Sequence, residues 1–168
     1  DDGGRCLPLT NDKPTNFRGT LAVGAVLFKR SDFRLIAAEK SQEILWLLGA
    51  DGIKNFDAIN SHRPEKKSKA FPKGGYYVMR DGWTDGDNFL VIDAGEVGSL
   101  KGGHGHADTL AFELAVGGRT ILVDSGTYTY HKSKELRDYF RSSVAHNTLT
   151  IDEKSSSRFG NKFDWETM

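Results

Sequence analysis

The sequence predicts an α+β protein in which a helical hairpin precedes an antiparallel β domain. Apolar residues recur at helical spacing over residues 16–48, and this periodicity is lost over 53–70, which is rich in Asn, Ser, Pro and Lys. From Phe71 onward, short β-branched and aromatic runs alternate with Gly, Asp and Asn. We therefore predict a helical segment at 1–52, a linker at 53–70 and an antiparallel β domain at 71–168 that we expect to be incomplete.

The helical segment is predicted to contain two helices. The stretch "FRGTLAVGAVLFKR" is apolar almost all round, as in a buried helix. Ser31 is a candidate N-cap for the second helix, and Gly49 and Gly52 are expected to end it. Two helices with this much apolar surface cannot bury it alone, so we expect them to be one layer of a larger structure.

The β domain contains five candidate strands. These are "GYYVMR", "NFLVIDAG", "DTLAFELAVG", "RTILVDSG" and "HNTLTIDE". If the glycines at 117 and 118 form a two-residue hairpin loop, Val116 lies opposite Arg119. The intervening stretch "SKELRDYFRSS" is compatible with a helical turn or with a long loop.

The composition excludes several classes of partner. The 23 Lys and Arg residues equal the 23 Asp and Glu residues, so no global basic field attracts nucleic acid or an anionic membrane. The single cysteine, Cys6, excludes an internal disulfide and a thiolate metal cluster. The longest apolar run, "LAVGAVLF", is far shorter than the roughly 20 residues of a membrane span.

The chain begins without an initiator Met, and we expect it to be a fragment.

Two histidines two residues apart, His104 and His106, stand among glycines before a candidate strand. If they lie on that strand, they share a face. With Asp124 and His146, His106 would make a two-histidine, one-carboxylate set suited to zinc or another divalent metal. A regular hairpin turns Asp124 to the opposite face from His106, and a β-bulge would restore the common face.

Two other interpretations of these histidines stay open. An isolated His-x-His pair among glycines is often a polar surface turn. Alternatively, His106, Asp108 and His146 imitate the facial triad of an iron oxygenase.

The chain resembles the heparinase II/III-like polysaccharide lyases over nearly its whole length and in the same order. The motifs that carry the resemblance are "EILWLLGADGIKNFDAI", "FPKGGYYVMR", "GGHGHADTLAFEL", "LVDSGTYTY", "FRSSVAHNTLTID", "FGNKFDW" and the initial "DDGG". The resemblance implies an (α/α) toroid, of which the helices are the end, followed by a layered β-sandwich-type domain. It also implies a periplasmic or secreted enzyme, although no export signal is visible in this chain.

The family resemblance assigns roles to four residues. It implies that His106, Asp124 and His146 hold a structural metal, usually zinc, and that His104 takes part in catalysis. The substrate would be an acidic, uronic-acid-containing glycan cleaved by β-elimination. A catalytic tyrosine and an Asn or His would come from the toroid, upstream of these residues, so we expect the isolated fragment to lack part of the active site.

Further candidates for substrate binding are less specific. On a strand, Tyr128 and Tyr130 share a face and either hydroxyl could reach substrate, or the rings could simply pack. Arg141 could pair with a sugar carboxylate, or it could form a structural salt bridge. The rival interpretation of the whole chain is a non-catalytic module that binds glycan or stabilises a larger protein.

Overall fold

The computed structural model describes residues 16–98, 102–160 and 165–167, which divide into two compact units. The first unit ends at Glu65 and the second begins at Lys66, inside the predicted linker. Cys6, the "DDGG" stretch and residues 161–164 of the "FGNKFDW" motif lie outside the described residues.

From residue 16 onward, the first unit forms three helices around a small apolar core. The helices are α1 (Arg18–Phe28), α2 (Ser31–Ala37) and α3 (Gln42–Ala58). Their fully buried apolar side chains are Ala22, Ala25, Ala37, Ile44 and Phe56. Small residues on α1 allow close helix packing: a Cβ on Gly24 would lie 3.1 Å from the Phe33 ring.

The structure corrects the predicted second helix. It is interrupted after Ala37, because Ala38 adopts a left-handed φ of 62°. Ser31 is the first residue of α2 and makes no side-chain cap. Gly49, with φ 67° and ψ −167°, interrupts the helical backbone as expected, but the helix resumes after it, and Phe56 in this second part packs into the core.

The second unit is built on a five-stranded antiparallel meander. The strands are β1 (Lys69–Phe71), β2 (Tyr76–Arg80), β3 (Phe89–Asp93), β4 (Ala111–Val116) and β5 (Arg119–Leu122), in spatial order 1-2-3-4-5. Two further strands, β6 (Arg158–Phe159) and β7 (Trp165–Thr167), form a separate two-stranded sheet. The α+β class is confirmed, whereas a sandwich-type arrangement stays a prediction.

The β4–β5 hairpin follows the predicted register at its turn. Gly117 and Gly118 both have positive φ, as a two-residue hairpin turn requires, and Val116 lies opposite Arg119. The register then shifts between Leu114 and Ala115. This irregularity is a β-bulge of the kind that the sequence analysis required if Asp124 and His106 are to share a face.

The chain after β5 differs in part from the prediction. "SKELRDYFRSS" forms helix α4 (Lys134–Arg141), capped by Ser133, which accepts a hydrogen bond from the Leu136 amide at 3.2 Å. The predicted strand "HNTLTIDE" is wrong. Its second half makes a tight turn, because Asp152 and Glu153 both adopt left-handed φ values.

Among the described residues, no helix combines the length and apolar character that a membrane span requires.

Candidate functional site

Three segments of the second unit meet at one end of the sheet. In an antiparallel hairpin the start of β4 and the end of β5 lie at the same end. The histidine loop, residues 102–110, therefore lies near residues 123–131, which follow β5. Helix α4 and the short 3-10 turn Ser143–Ala145 complete the site and lead into His146.

His106 and His146 are brought together from positions far apart in the sequence. Both are buried, with 2% and 8% of their surface exposed, and their ring centroids lie 5.0 Å apart. One ring nitrogen of His106, one ring nitrogen of His146 and one carboxylate oxygen of Asp108 all lie within 4.8 Å of one another. This group of two imidazoles and one carboxylate could hold a metal ion.

His146 is fixed through both ring nitrogens. Its Nε2 lies 3.0 Å from the Phe140 carbonyl oxygen, and its Nδ1 lies 2.5 Å from Asp124 Oδ1. Burial disfavours the charged ring, but the bond to Asp124 outweighs burial and raises the pKa of His146. Because the carbonyl accepts a proton from Nε2, Nδ1 is the nitrogen left for a cation on the Asp124 side.

His106 is held as a neutral imidazole. Its burial lowers the pKa to about 3, and Arg137 and His146 act in the same direction. Nε2 lies 3.4 Å from both Thr127 Oγ1 and Arg137 Nη1, whereas Nδ1 is buried and has no hydrogen-bond partner among the described residues. A neutral histidine with an unsatisfied buried nitrogen fits a metal ligand, since a bound ion would satisfy that atom.

Two carboxylates are available to this pair of histidines. Asp124 bonds to His146 and accepts the Gly126 amide at 2.8 Å, but it lies outside the 4.8 Å group. Asp108 belongs to that group, and its burial raises its carboxyl pKa. Sequence reasoning gave Asp108 a role only in the iron-oxygenase alternative, although its position two residues after His106 was the available signal.

The segment after α4 clamps the histidine loop through its backbone. The Ala107 amide donates to the Arg141 carbonyl at 2.8 Å, and Ser143 Oγ donates to the Ala107 carbonyl at 2.5 Å. The Ser156 amide in turn donates to Ser143 Oγ at 3.0 Å. The serine thus fixes the backbone next to His106.

Replacing Ser143 with alanine is expected to lower the free energy of unfolding by about 1–3 kcal/mol, because the buried Ala107 carbonyl and the partly buried Ser156 amide lose their partner. Denaturant unfolding of Ser143→Ala measures the effect, and Ser125→Ala, a change at an exposed serine, is the control. Equal stability of the two variants would contradict this role for Ser143.

His104 occupies a different environment from its neighbour. It lies in a glycine-rich turn with a left-handed φ of 64°, and its side chain is exposed. Its Nδ1 lies 3.4 Å from the Tyr130 hydroxyl. The prediction that His104 and His106 share a strand face is therefore wrong, because the loop turns one imidazole inward and the other toward solvent.

Of the three candidate substrate-binding residues, Tyr130 and Arg141 line one pocket, whereas Tyr128 is not part of its described lining. Tyr128 has a left-handed φ of 57° and stacks on Phe140, with ring centroids 5.1 Å apart, so it does not share a face with Tyr130. Arg141 is 1% exposed, and its Nη2 donates to Asp138 Oδ1 at 3.1 Å. This geometry favours the structural salt bridge for Arg141, and its role in substrate binding stays a prediction.

The comparisons with known proteins identify the family to which this chain belongs. The profile of the family described as "Heparinase II/III-like, C-terminal" matches residues 63–168, which is more than half of the chain. The chain belongs to this family. The match contains all the candidate residues of the histidine site.

Relatives and a solved structure extend the similarity into the helices. The chain is 27% identical over 166 residues to a heparin-sulfate lyase of Bacteroides thetaiotaomicron, covering 93% of this chain and 22% of that protein. It is 28% identical over 179 residues to an alginate lyase of Stenotrophomonas maltophilia, covering 91% and 23%. A solved heparinase III superposes with a TM-score of 0.60 at 26% identity, covering 81% and 19%. The chain thus spans about a fifth of the length of these proteins.

Proposed function

We propose that this chain is part of a polysaccharide lyase that cleaves a uronic-acid-containing glycan by β-elimination. The observation that carries the proposal is that one loop supplies two different histidines. His106 belongs to a buried group that could hold a metal, and the exposed His104 lies beside Tyr130. The proposal is supported by relatives named heparin-sulfate lyase and alginate lyase. We also propose a periplasmic or secreted location, where such a glycan is accessible.

The proposed reaction needs one base and one acid. The base removes the proton on C5 of the uronic acid, and the electron pair of that C–H bond forms the C4–C5 double bond. The C4–O4 bond breaks at the same time, and the acid protonates the departing oxygen. No water is consumed, so the product is an unsaturated uronic acid and a free hydroxyl.

His104 and Tyr130 are positioned for these proton transfers. The separation of 3.4 Å between Nδ1 and the phenolic oxygen is near hydrogen-bond reach, which can tighten when substrate binds. An exposed imidazole next to a phenol can accept a proton on one side and pass one on the other. We propose that residues of a helical domain outside these 168 positions face this pair across the substrate.

We propose that His106 and His146 hold a divalent metal together with a carboxylate from Asp124 or Asp108. We expect this metal to be zinc. When bound, the ion would supply positive charge and a rigid link among the three segments of the site. The chain's own residues prepare this link: the Phe140 carbonyl accepts the Nε2 proton of His146, and Ser143 fixes the loop that carries His106.

The test uses the natural-length polypeptide that carries this chain. It is incubated with heparan sulfate and with alginate, and the ultraviolet absorbance of the new conjugated double bond is followed. We expect a steady rise with one of these uronans. Binding without any rise on either uronan would contradict the lyase proposal and favour the non-catalytic glycan-binding alternative.

One specific observation also fits the iron-oxygenase alternative. The group found in the structure, His106, Asp108 and His146, is the two-histidine, one-carboxylate set that such enzymes use. The lyase relatives favour elimination instead. Loading the protein with ferrous iron and following dioxygen uptake tests this alternative, and we expect no uptake above that of the His106→Ala variant.

A further inference from the structure

A pocket lies on the α4 side of Tyr130, and its described lining does not include the histidine group. It has a volume of about 340 Å³, within the range of roughly 300–1,000 Å³ that is typical of small-molecule sites. The described residues that line it are Tyr130, His131, Lys134, Arg137, Asp138, Arg141 and Gly160. Such a volume can accept a sugar ring with its charged substituent.

The described lining of the pocket is rich in positive charge. It includes one lysine and two arginines, against a single carboxylate from Asp138. Arg137 and Arg141 are 2% and 1% exposed, so the surrounding protein holds both guanidinium groups in place. Lys134 lies at the rim, where it pairs with Asp138 one helical turn away and stays 82% exposed at its side chain.

Tyr130 joins this pocket to the proposed catalytic histidine. The Tyr130 hydroxyl lies 3.4 Å from His104 Nδ1. The face of its ring lies 4.6 Å from the Arg137 guanidinium carbon. A glycan that contacts His104 can therefore place a neighbouring sugar in the pocket without leaving the surface of Tyr130.

We propose that this pocket is a binding site for an oxyanion carried by the sugar next to the cleaved bond, and that Lys134 is its entrance residue. The proposal rests on the proposed lyase function and adds a subsite to it. The oxyanion is a sulfo group or a uronate carboxylate, since both accept charge-assisted hydrogen bonds from lysine and arginine. A pocket for the sulfo group would distinguish sulfated glycans from alginate.

The experiment measures kcat and KM of the natural-length polypeptide on heparan sulfate and on its chemically desulfated form. The variant is Lys134→Gln, the matched control is Lys132→Gln at an exposed lysine outside the pocket, and Lys134→Arg tests rescue. We expect Lys134→Gln to raise KM about tenfold with kcat nearly unchanged. A tenfold rise in KM corresponds to the loss of one charged hydrogen bond. Lys134→Arg should restore most of the affinity.

The two substrates identify the oxyanion. A rise in KM for the sulfated glycan alone assigns the pocket to a sulfo group, and an equal rise for both glycans assigns it to a carboxylate. If Lys134→Gln behaves like Lys132→Gln on both substrates, the pocket is not a subsite and the proposal is overturned.

A binding measurement separates this proposal from the lyase proposal. The same variants are titrated by calorimetry with a heparan sulfate tetrasaccharide at fixed ionic strength. If no uronan is cleaved, a Lys134-dependent loss of affinity still supports the pocket, while the lyase proposal fails. Equal affinities of Lys134→Gln and Lys132→Gln overturn the pocket whether or not the protein is a lyase.

Discussion

Replacing His104 with alanine is expected to lower kcat of the natural-length polypeptide by about a hundredfold or more, while the bound metal is retained. The loss corresponds to removal of a general acid or base, which contributes about 10²–10⁴-fold. Metal content should not change, because His104 is exposed and lies outside the buried ligand group. The measurements are the initial rate of double-bond formation and elemental analysis of the same preparation.

The matched control for this variant is His62→Ala, which removes another exposed histidine in the helical unit. It should keep the wild-type rate. A His104→Ala protein that retains most of its turnover, or that loses metal together with activity, would contradict the division of labour between the two neighbouring histidines.

Replacing His106 with alanine is expected to release the metal and to destabilise the second unit. The variant removes one imidazole from a buried group whose remaining members cannot compensate for it. At a metal concentration of about 100 times Kd, the metal contributes about 2.7 kcal/mol to the stability of the folded state, and its loss lowers the Tm of a unit of about 100 residues by about 10–20 °C. Thermal unfolding with and without added metal measures this effect.

A chelator separates the metal contribution from the cavity left by the smaller side chain. Treating the wild-type chain with chelator should lower its Tm, whereas His106→Ala should be insensitive to the same treatment. If the chelator lowers the Tm of both proteins equally, His106 is not a ligand.

The sequence was most informative where local chemistry determines the backbone. The glycines at 117 and 118 predicted both the turn and the pairing of Val116 with Arg119, because only such residues readily adopt two successive positive φ values. The bulge at Leu114 could be named as an option but not located. It depends on contacts at the end of the hairpin that local pattern does not encode.

The errors arose where non-local contacts override local periodicity. "HNTLTIDE" has the composition of a strand, yet Asn147 and Thr148 instead bond to the carbonyls of Val123 and Thr109. Alternation similarly failed for Tyr128 and Tyr130, since the chain there leaves the sheet. The pairing of His106 with His146 could be predicted from motifs, and Asp108 joined them only in the iron-oxygenase alternative; that its carboxylate lies within 4.8 Å of both histidines required the folded loop.

The most direct test of a metal centre is X-ray absorption at the edge of the metal found in the purified protein. We predict one ion per chain with two imidazole ligands and at least one carboxylate oxygen, a spectrum that His104→Ala leaves unchanged and His146→Ala abolishes. An ion with no imidazole in its coordination shell, or one that persists unaltered in His146→Ala, would show that residues 106 and 146 serve some other purpose.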